Sequence, residues 1–129
     1  MSASTTVVTL ITSLVGLIAT LREMRVVYKK LDRMKTLSGQ EHQVELVVES
    51  PQGRQIGFQK TVEGHYEATA DTHGLGATEV RDQAKFIRKI VQRYAYKKVL
   101  DQLKAQGYVV AEEEQKADDT VRLVVRKWV

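Results

Sequence analysis

Basic side chains recur at helical spacing between residues 81 and 97, and they carry the clearest chemistry in the sequence. Such a row of cations can contact the phosphates of a nucleic acid, and aromatic rings add platforms for unpaired bases. The candidate contacts are Arg81, Lys85, Arg88, Lys89, Arg93 and Lys97, and the nearby rings are Tyr94, Tyr96 and Trp128. RNA or single-stranded DNA is therefore an alternative partner; the other interpretation is an ordinary solvated helix face.

Residues that commonly bind metals or catalyse reactions are scattered. His42, His65 and His73 lie in or beside predicted turns, without the i, i+4 spacing of helical metal ligands. Gly74-Leu75-Gly76 precedes a helix but lacks the third glycine of a dinucleotide fingerprint and the lysine of a P-loop. The chain has no cysteine, which excludes disulfides and thiolate sites. We expect no enzymatic activity, cofactor, metal or small-molecule substrate.

One long helix, predicted from Thr78 to Gln106, must position the basic residues. It contains no glycine or proline, Thr78 is a plausible N-cap, and Gly107 follows as a stop. Its apolar residues form two stripes that point about 150° apart, and the second stripe comprises Tyr96, Val99, Leu100 and Leu103. Either the helix breaks near Tyr94-Ala95-Tyr96, or its two halves pack against different bodies, one of which could be a second chain.

The second stripe of this helix and the first strand supply a candidate protein interface. The strand, Thr5 to Ile11, is rich in β-branched residues and apolar on both faces, so we expect both faces to be covered. The candidate interface residues are Val8, Leu10, Tyr96, Val99, Leu100 and Leu103. They favour a non-enzymatic adaptor or assembly subunit that binds a protein partner or a second copy of itself.

The remaining pattern predicts an α+β fold in a single domain of residues 1–129. Ser13 begins a first helix whose apolar face is predicted to continue to Leu31, and Lys35 to Gln43 is predicted to be a polar connection. Alternation from Val44 predicts a strand with Val47 facing solvent. Two β-α-β-β halves would form a mostly antiparallel sheet of about six strands, with both helices on one face.

Composition is that of an ordinary globular protein. The chain has 129 residues, 28% of them charged, and a net charge of +4, which is compatible with an anionic partner without specifying one. The first 21 residues carry no charged side chain, but seven of the eighteen from position 4 to 21 are Ser or Thr. We therefore expect neither a membrane span nor a signal peptide.

Several segments resemble a known family. They are Gln92–Tyr96, Gln106–Tyr108, Arg122–Trp128, Ile56–Phe58 and Tyr66–Asp71. The family is found in cyanobacteria, other bacteria and red-algal plastids, and it is labelled hypothetical chloroplast reading frame thirty-five. The resemblance covers nearly the whole chain. It implies no activity or catalytic residue, and it implies a soluble protein of the cytoplasm or the plastid stroma.

The N-terminus departs from this family. Relatives usually carry charged residues in the first strand and early helix, where this chain has Val8, Leu10, Thr12 and Ser13. The departure makes the first strand apolar on both faces and strengthens the expectation that a partner covers it.

Overall fold

The computed structural model describes residues 4–117 and 120–127, which form nine strands and two helices. In chain order these are β1 (Ser4–Val8), α1 (Leu14–Glu23), β2 (Tyr28–Lys29), β3 (Arg33–Lys35), β4 (Glu41–Gln43), β5 (Leu46–Glu49), β6 (Gln55–Lys60), β7 (Tyr66–Asp71), α2 (Ala77–Ala105), β8 (Tyr108–Gln115) and β9 (Val121–Lys127).

Five of the strands form the main sheet, in the order β1-β7-β6-β5-β2, and each neighbouring pair is antiparallel. Alternating residues of the central strands, such as Ile56, Phe58 and Ala68, point to one face and are fully buried. Leu17 of α1 and Ile90 of α2 are buried in the same cluster. The α+β class, the antiparallel sheet and the position of both helices on one face are therefore confirmed.

The first helix is shorter than its apolar pattern predicts. It ends at Glu23, so the prediction of a helical face extending to Leu31 was wrong. Arg25 adopts a left-handed conformation with φ of 57°, and the N–H of Val26 donates to the carbonyl of Leu21 at 2.9 Å. This geometry is a Schellman ending, which usually has glycine at the left-handed position. Because arginine occupies that position here, the sequence contained no stop signal.

The second face of the sheet is partly covered by a hairpin. The segment Lys35 to Gln43, predicted to be a polar connection, belongs to the hairpin of β3 and β4. Met34, Val44 and Val47 form a small second core beneath it, and Val47 is only 6% exposed instead of facing solvent. Gly57 permits this close packing, because a Cβ at that position would lie 2.5 Å from Val44 Cγ1.

The second helix is continuous over its 29 residues and does not break at Tyr94-Ala95-Tyr96. Its N-cap is Gly76, two residues before the predicted Thr78. The carboxylate of Glu79 accepts the N–H of Gly76 at 3.3 Å, and its charge also suits the positive end of the helix dipole.

The start of α2 is fastened to the end of β7 through Asp71. Gln83 lies on the buried side of the helix, where its Nε2 donates to the Asp71 carbonyl at 2.9 Å. The buried Asp71 carboxylate accepts the backbone N–H groups of Leu37 at 2.9 Å and His73 at 3.1 Å. One buried residue thus joins β7, the β3–β4 hairpin and α2, with its polar atoms satisfied.

The strands β8 and β9 form a separate two-stranded sheet, so the main sheet has five strands where about six were expected. A 29-residue helix is about 43 Å long, whereas a six-residue strand spans about 20 Å, so the second half of α2 extends beyond the sheet. Gly107 then reverses the chain with φ of 86°, and β8 packs back against α2. The two halves of α2 therefore pack against different bodies of the same chain.

Candidate functional site

The six predicted phosphate contacts divide into two groups. Arg81, Lys85, Arg88 and Lys89 are exposed on the first half of α2, and we call these four residues the basic stripe. Within residues 4–117 and 120–127, none of the four forms an ion pair. Their charges are therefore available to an anionic partner.

Arg93 and Lys97 are held by an acidic residue of the other helix. Glu23 lies 3.3 Å from the Arg93 guanidinium and 3.7 Å from Lys97 Nζ. The three side chains are between 38% and 47% exposed, so these ion pairs add little to stability. Their effect is on position, because Glu23 orients Arg93 over the ring of Tyr96, with the guanidinium carbon 5.4 Å from the ring centroid.

Tyr96 connects the helix to the C-terminal hairpin. Its hydroxyl lies near the carboxylate of Glu113 on β8. Burial, the interaction of the hydroxyl with the Glu113 carboxylate and the negative charge of Glu113 raise the pKa of Tyr96 to about 12, although Arg93 opposes the shift. The phenol therefore stays protonated to a higher pH than an ordinary tyrosine does.

A groove of about 380 Å³ lies between α2 and the hairpin, and we call it the hairpin groove. One wall consists of Lys89, Gln92, Arg93 and Tyr96 from α2, and the other of Gln115 and Val121 from β8 and β9. Met24, just after α1, closes one side. The groove thus brings together Lys89 and Arg93, which were predicted to contact nucleic acid, and Tyr96, which was predicted to contact a protein.

The six predicted interface residues do not form one surface. Val8, Leu10 and Val99 are 62%, 82% and 45% exposed. Tyr96, Leu100 and Leu103 are half-buried on the part of α2 against which β8 packs. The chain's own hairpin therefore covers part of the second stripe. From the sequence, a second chain could have covered it instead.

Five of the nine large apolar residues that are exposed in the described part of the chain lie near the end of β1 and the start of α1, and we call this region the apolar end. It comprises Val8, Leu10, Val15, Val62 and Val99. The end of β1 pairs with the start of β7, beside the turn that carries Val62. The loop after β1 and the first turn of α1 contact α2 around Tyr94 and Lys98, next to Val99.

Tyr94 forms the contact between this loop and α2. The ring is 7% exposed, and its hydroxyl accepts the backbone N–H groups of Thr12 at 3.3 Å and Ser13 at 3.2 Å. Burial favours the neutral phenol, but the hydrogen bonds from Thr12 and Ser13 and the charge of Lys98 outweigh it and lower the pKa of Tyr94. Because the ring is buried, Tyr94 cannot serve as the base-stacking platform predicted for it; Trp128 lies outside the described residues.

A smaller cavity of about 240 Å³ adjoins Tyr94, and Lys97 and Lys98 form part of its lining. Ser13 caps α1 there, as predicted, with its Oγ accepting the N–H of Gly16 at 3.1 Å. Gly16 leaves room for the tyrosine, because a Cβ at that position would lie 2.8 Å from Tyr94 Cε2. The cavity is thus part of the packing between α1 and α2.

In residues 4–117 and 120–127, no group of three or more His, Asp or Glu side chains is arranged to hold a metal ion. Neither α1 nor α2 is long and apolar enough to cross a membrane.

Sequence reasoning missed two residues that shape the hairpin groove. Glu23 follows the apolar face of α1 and carried no signal of a role, although it is the acidic residue that fixes Arg93 and Lys97. Gln115 was unremarkable at the end of an acidic run. Glu23 approaches Arg93 only because α1 packs against α2, and the sequence alone does not reveal that tertiary contact.

Comparison with known proteins gives a family and no activity. The family described as "Protein of unknown function (DUF1257)" matches residues 20–124. The chain is also 33% identical over 95 residues to the "Uncharacterized protein ycf35" of Cyanophora paradoxa, which covers 74% of this chain and 72% of that protein. No solved structure matches the chain significantly.

Proposed function

The chain belongs to the family described as Protein of unknown function (DUF1257). From the surface of the chain itself, we propose that it is a non-enzymatic adaptor or assembly subunit. It would act through protein contacts made by the apolar end. The resemblance to ycf35 supports the cytoplasm or the plastid stroma as the compartment, which is part of the proposal.

The exposure of Leu10 carries this proposal. The side chain is 82% exposed in the loop that follows an uncharged edge strand, and Val8 beside it is 62% exposed. Exposed edge strands are usually protected by charge, proline or a bulge, and β1 has none of these. Leu10, Val15 and Val62 each expose at least four-fifths of their surface at the same end of the molecule, as expected for a contact surface.

Light scattering on Leu10→Glu tests the proposal. The wild-type chain should form a discrete assembly in both low and high salt, because an apolar contact is not screened by ions. Leu10→Glu should dissociate it, and its stability should change by no more than about 0.5 kcal/mol, since the side chain is exposed. Val27→Glu is the matched control, because Val27 is 74% exposed beside β2, at the opposite edge of the sheet.

A contrary result is easy to recognise. The wild-type chain would be monomeric at both salt concentrations. The immobilised wild-type chain and the immobilised Leu10→Glu variant would also retain the same proteins. These two results together would mean that the apolar end is not an interface.

The basic stripe supports a second candidate function, the binding of single-stranded nucleic acid. Its four cations have no ionic partner among the described residues, and they follow one another along a single helix. Binding should weaken steeply with salt, with a slope of about −0.7 for each phosphate contacted. Titration of a labelled strand at several salt concentrations measures that slope.

A further inference from the structure

The hairpin groove has the size and the lining of a binding site for a planar polar ligand. Its volume of about 380 Å³ falls within the range of small-molecule sites, roughly 300–1,000 Å³. Gln92 and Gln115 stand on opposite walls, and each amide offers donors and an acceptor. Tyr96 and Arg93 add planar groups to the helix wall. Amides and planar groups together suit the edges and faces of a nucleobase.

The planar groups are held in place before any ligand binds. Glu23 lies 3.3 Å from the guanidinium of Arg93, and the carboxylate of Glu113 lies near the hydroxyl of Tyr96. The two groups lie against each other, with the Arg93 guanidinium carbon 5.4 Å from the ring centroid of Tyr96. A ligand that stacks here therefore loses less free energy in ordering these side chains.

The basic stripe leads to this groove. Lys89 belongs to both, because it lines the groove and follows Lys85 and Arg81 at intervals of four residues along α2. Residues four apart are neighbours on the same side of a helix. A chain of phosphates along the stripe would therefore reach the mouth of the groove.

We propose that the hairpin groove binds one base of a single-stranded nucleic acid whose phosphates lie along the basic stripe. The inference rests on the second candidate function and is independent of the apolar end. It differs from electrostatic binding alone, because a groove that takes a base distinguishes strands with bases from strands without them.

An abasic strand tests that distinction. Fluorescence anisotropy would compare an oligothymidine strand of about 12 nucleotides, within the site sizes of single-strand binders, with an abasic strand of equal phosphate number. The oligothymidine should bind about tenfold more tightly at low salt, since one stacked base contributes about 1–3 kcal/mol. Tyr96→Ala and Gln92→Ala should remove most of this difference and leave the affinity for the abasic strand unchanged.

Two further variants separate the groove from the stripe. Lys85→Gln with Arg88→Gln should weaken both strands equally, because it removes phosphate contacts. Gln102→Ala is the control, being an exposed glutamine of the same helix outside the groove. Gln92→Ala keeps the test valid if Tyr96→Ala loosens the hairpin.

The outcomes distinguish the two ideas. Equal binding of both strands, unaffected by Gln92→Ala, would overturn the groove and retain the basic stripe. Absence of binding to either strand at low salt would overturn the groove and the second candidate function together.

Discussion

The first half of α2, from Ala77 to Tyr94, and the second half, from Ala95 to Ala105, are one continuous helix with different partners. The buried residues of the helix, Gln83, Ile87, Ile90 and Tyr94, all lie in the first half. The second half contributes only half-buried and exposed side chains, beneath a two-stranded hairpin. The free energy that holds α2 in place therefore comes from the first half, and the second half can carry a binding surface with little cost to the fold.

Truncation of one apolar residue in each half gives the largest expected contrast. Ile90→Ala should lower the free energy of unfolding by about 2–5 kcal/mol, because Ile90 is fully buried in the main core. Leu103→Ala should cost about 1 kcal/mol, because its side chain is only half-buried. Urea denaturation curves measure both. Equal losses would mean that the hairpin and the sheet form one core.

The junction between the halves should show an intermediate effect. Tyr94→Phe removes the hydroxyl that accepts the N–H groups of Thr12 and Ser13, and we expect a loss of about 1 kcal/mol. Tyr28→Phe is a suitable control, because the hydrogen bond of its hydroxyl with Arg22 Nε, at 3.0 Å, is exposed, and its loss should cost less than about 0.5 kcal/mol. If the two variants are equally stable in urea, the junction does not depend on the hydroxyl.

Periodicity predicted the elements that the main core encloses. Ile56 and Phe58 alternate along β6 as in a strand with one inward face, and both are buried. The helix limits were predicted to within a residue or two where a glycine marks them, as at Gly107. The end of α1 was missed because Arg25 takes the conformation that glycine normally signals.

Tertiary packing determines the features of the structure that the local sequence pattern did not predict. Val47 alternates like a solvent-facing residue and is buried only because a hairpin, which local pattern did not predict, folds over it. The basic residues of α2 were found from their spacing, but the separation of Arg93 and Lys97 from the basic stripe depends on Glu23, seventy residues before Arg93. The groove likewise requires β8 to fold back along α2.

The smallest expected effect concerns the contact between Tyr96 and Glu113, and it appears as a dependence of stability on pH. The pKa of Tyr96 is raised to about 12 in the folded chain, above its ordinary value of 10.0. The folded state therefore holds the proton more tightly than the unfolded state does. This contribution to stability is complete below pH 10 and is lost as the pH rises towards about 12. Tyr66, whose pKa is also raised to about 12, contributes in the same direction and is present in every variant compared.

Tyr96→Phe isolates the contribution of the hairpin contact. The free energy of unfolding of this variant, measured in urea between pH 9 and pH 12, should fall less steeply than that of the wild-type chain, because one raised pKa has been removed. Glu113→Gln should reduce the slope in the same way, since it removes the negative charge that opposes ionisation of the phenol. Identical slopes in all three proteins would place the Tyr96 hydroxyl in water. The hairpin would then not be held against α2 by this contact, and the second half of the helix would lack the fixed wall that the groove requires.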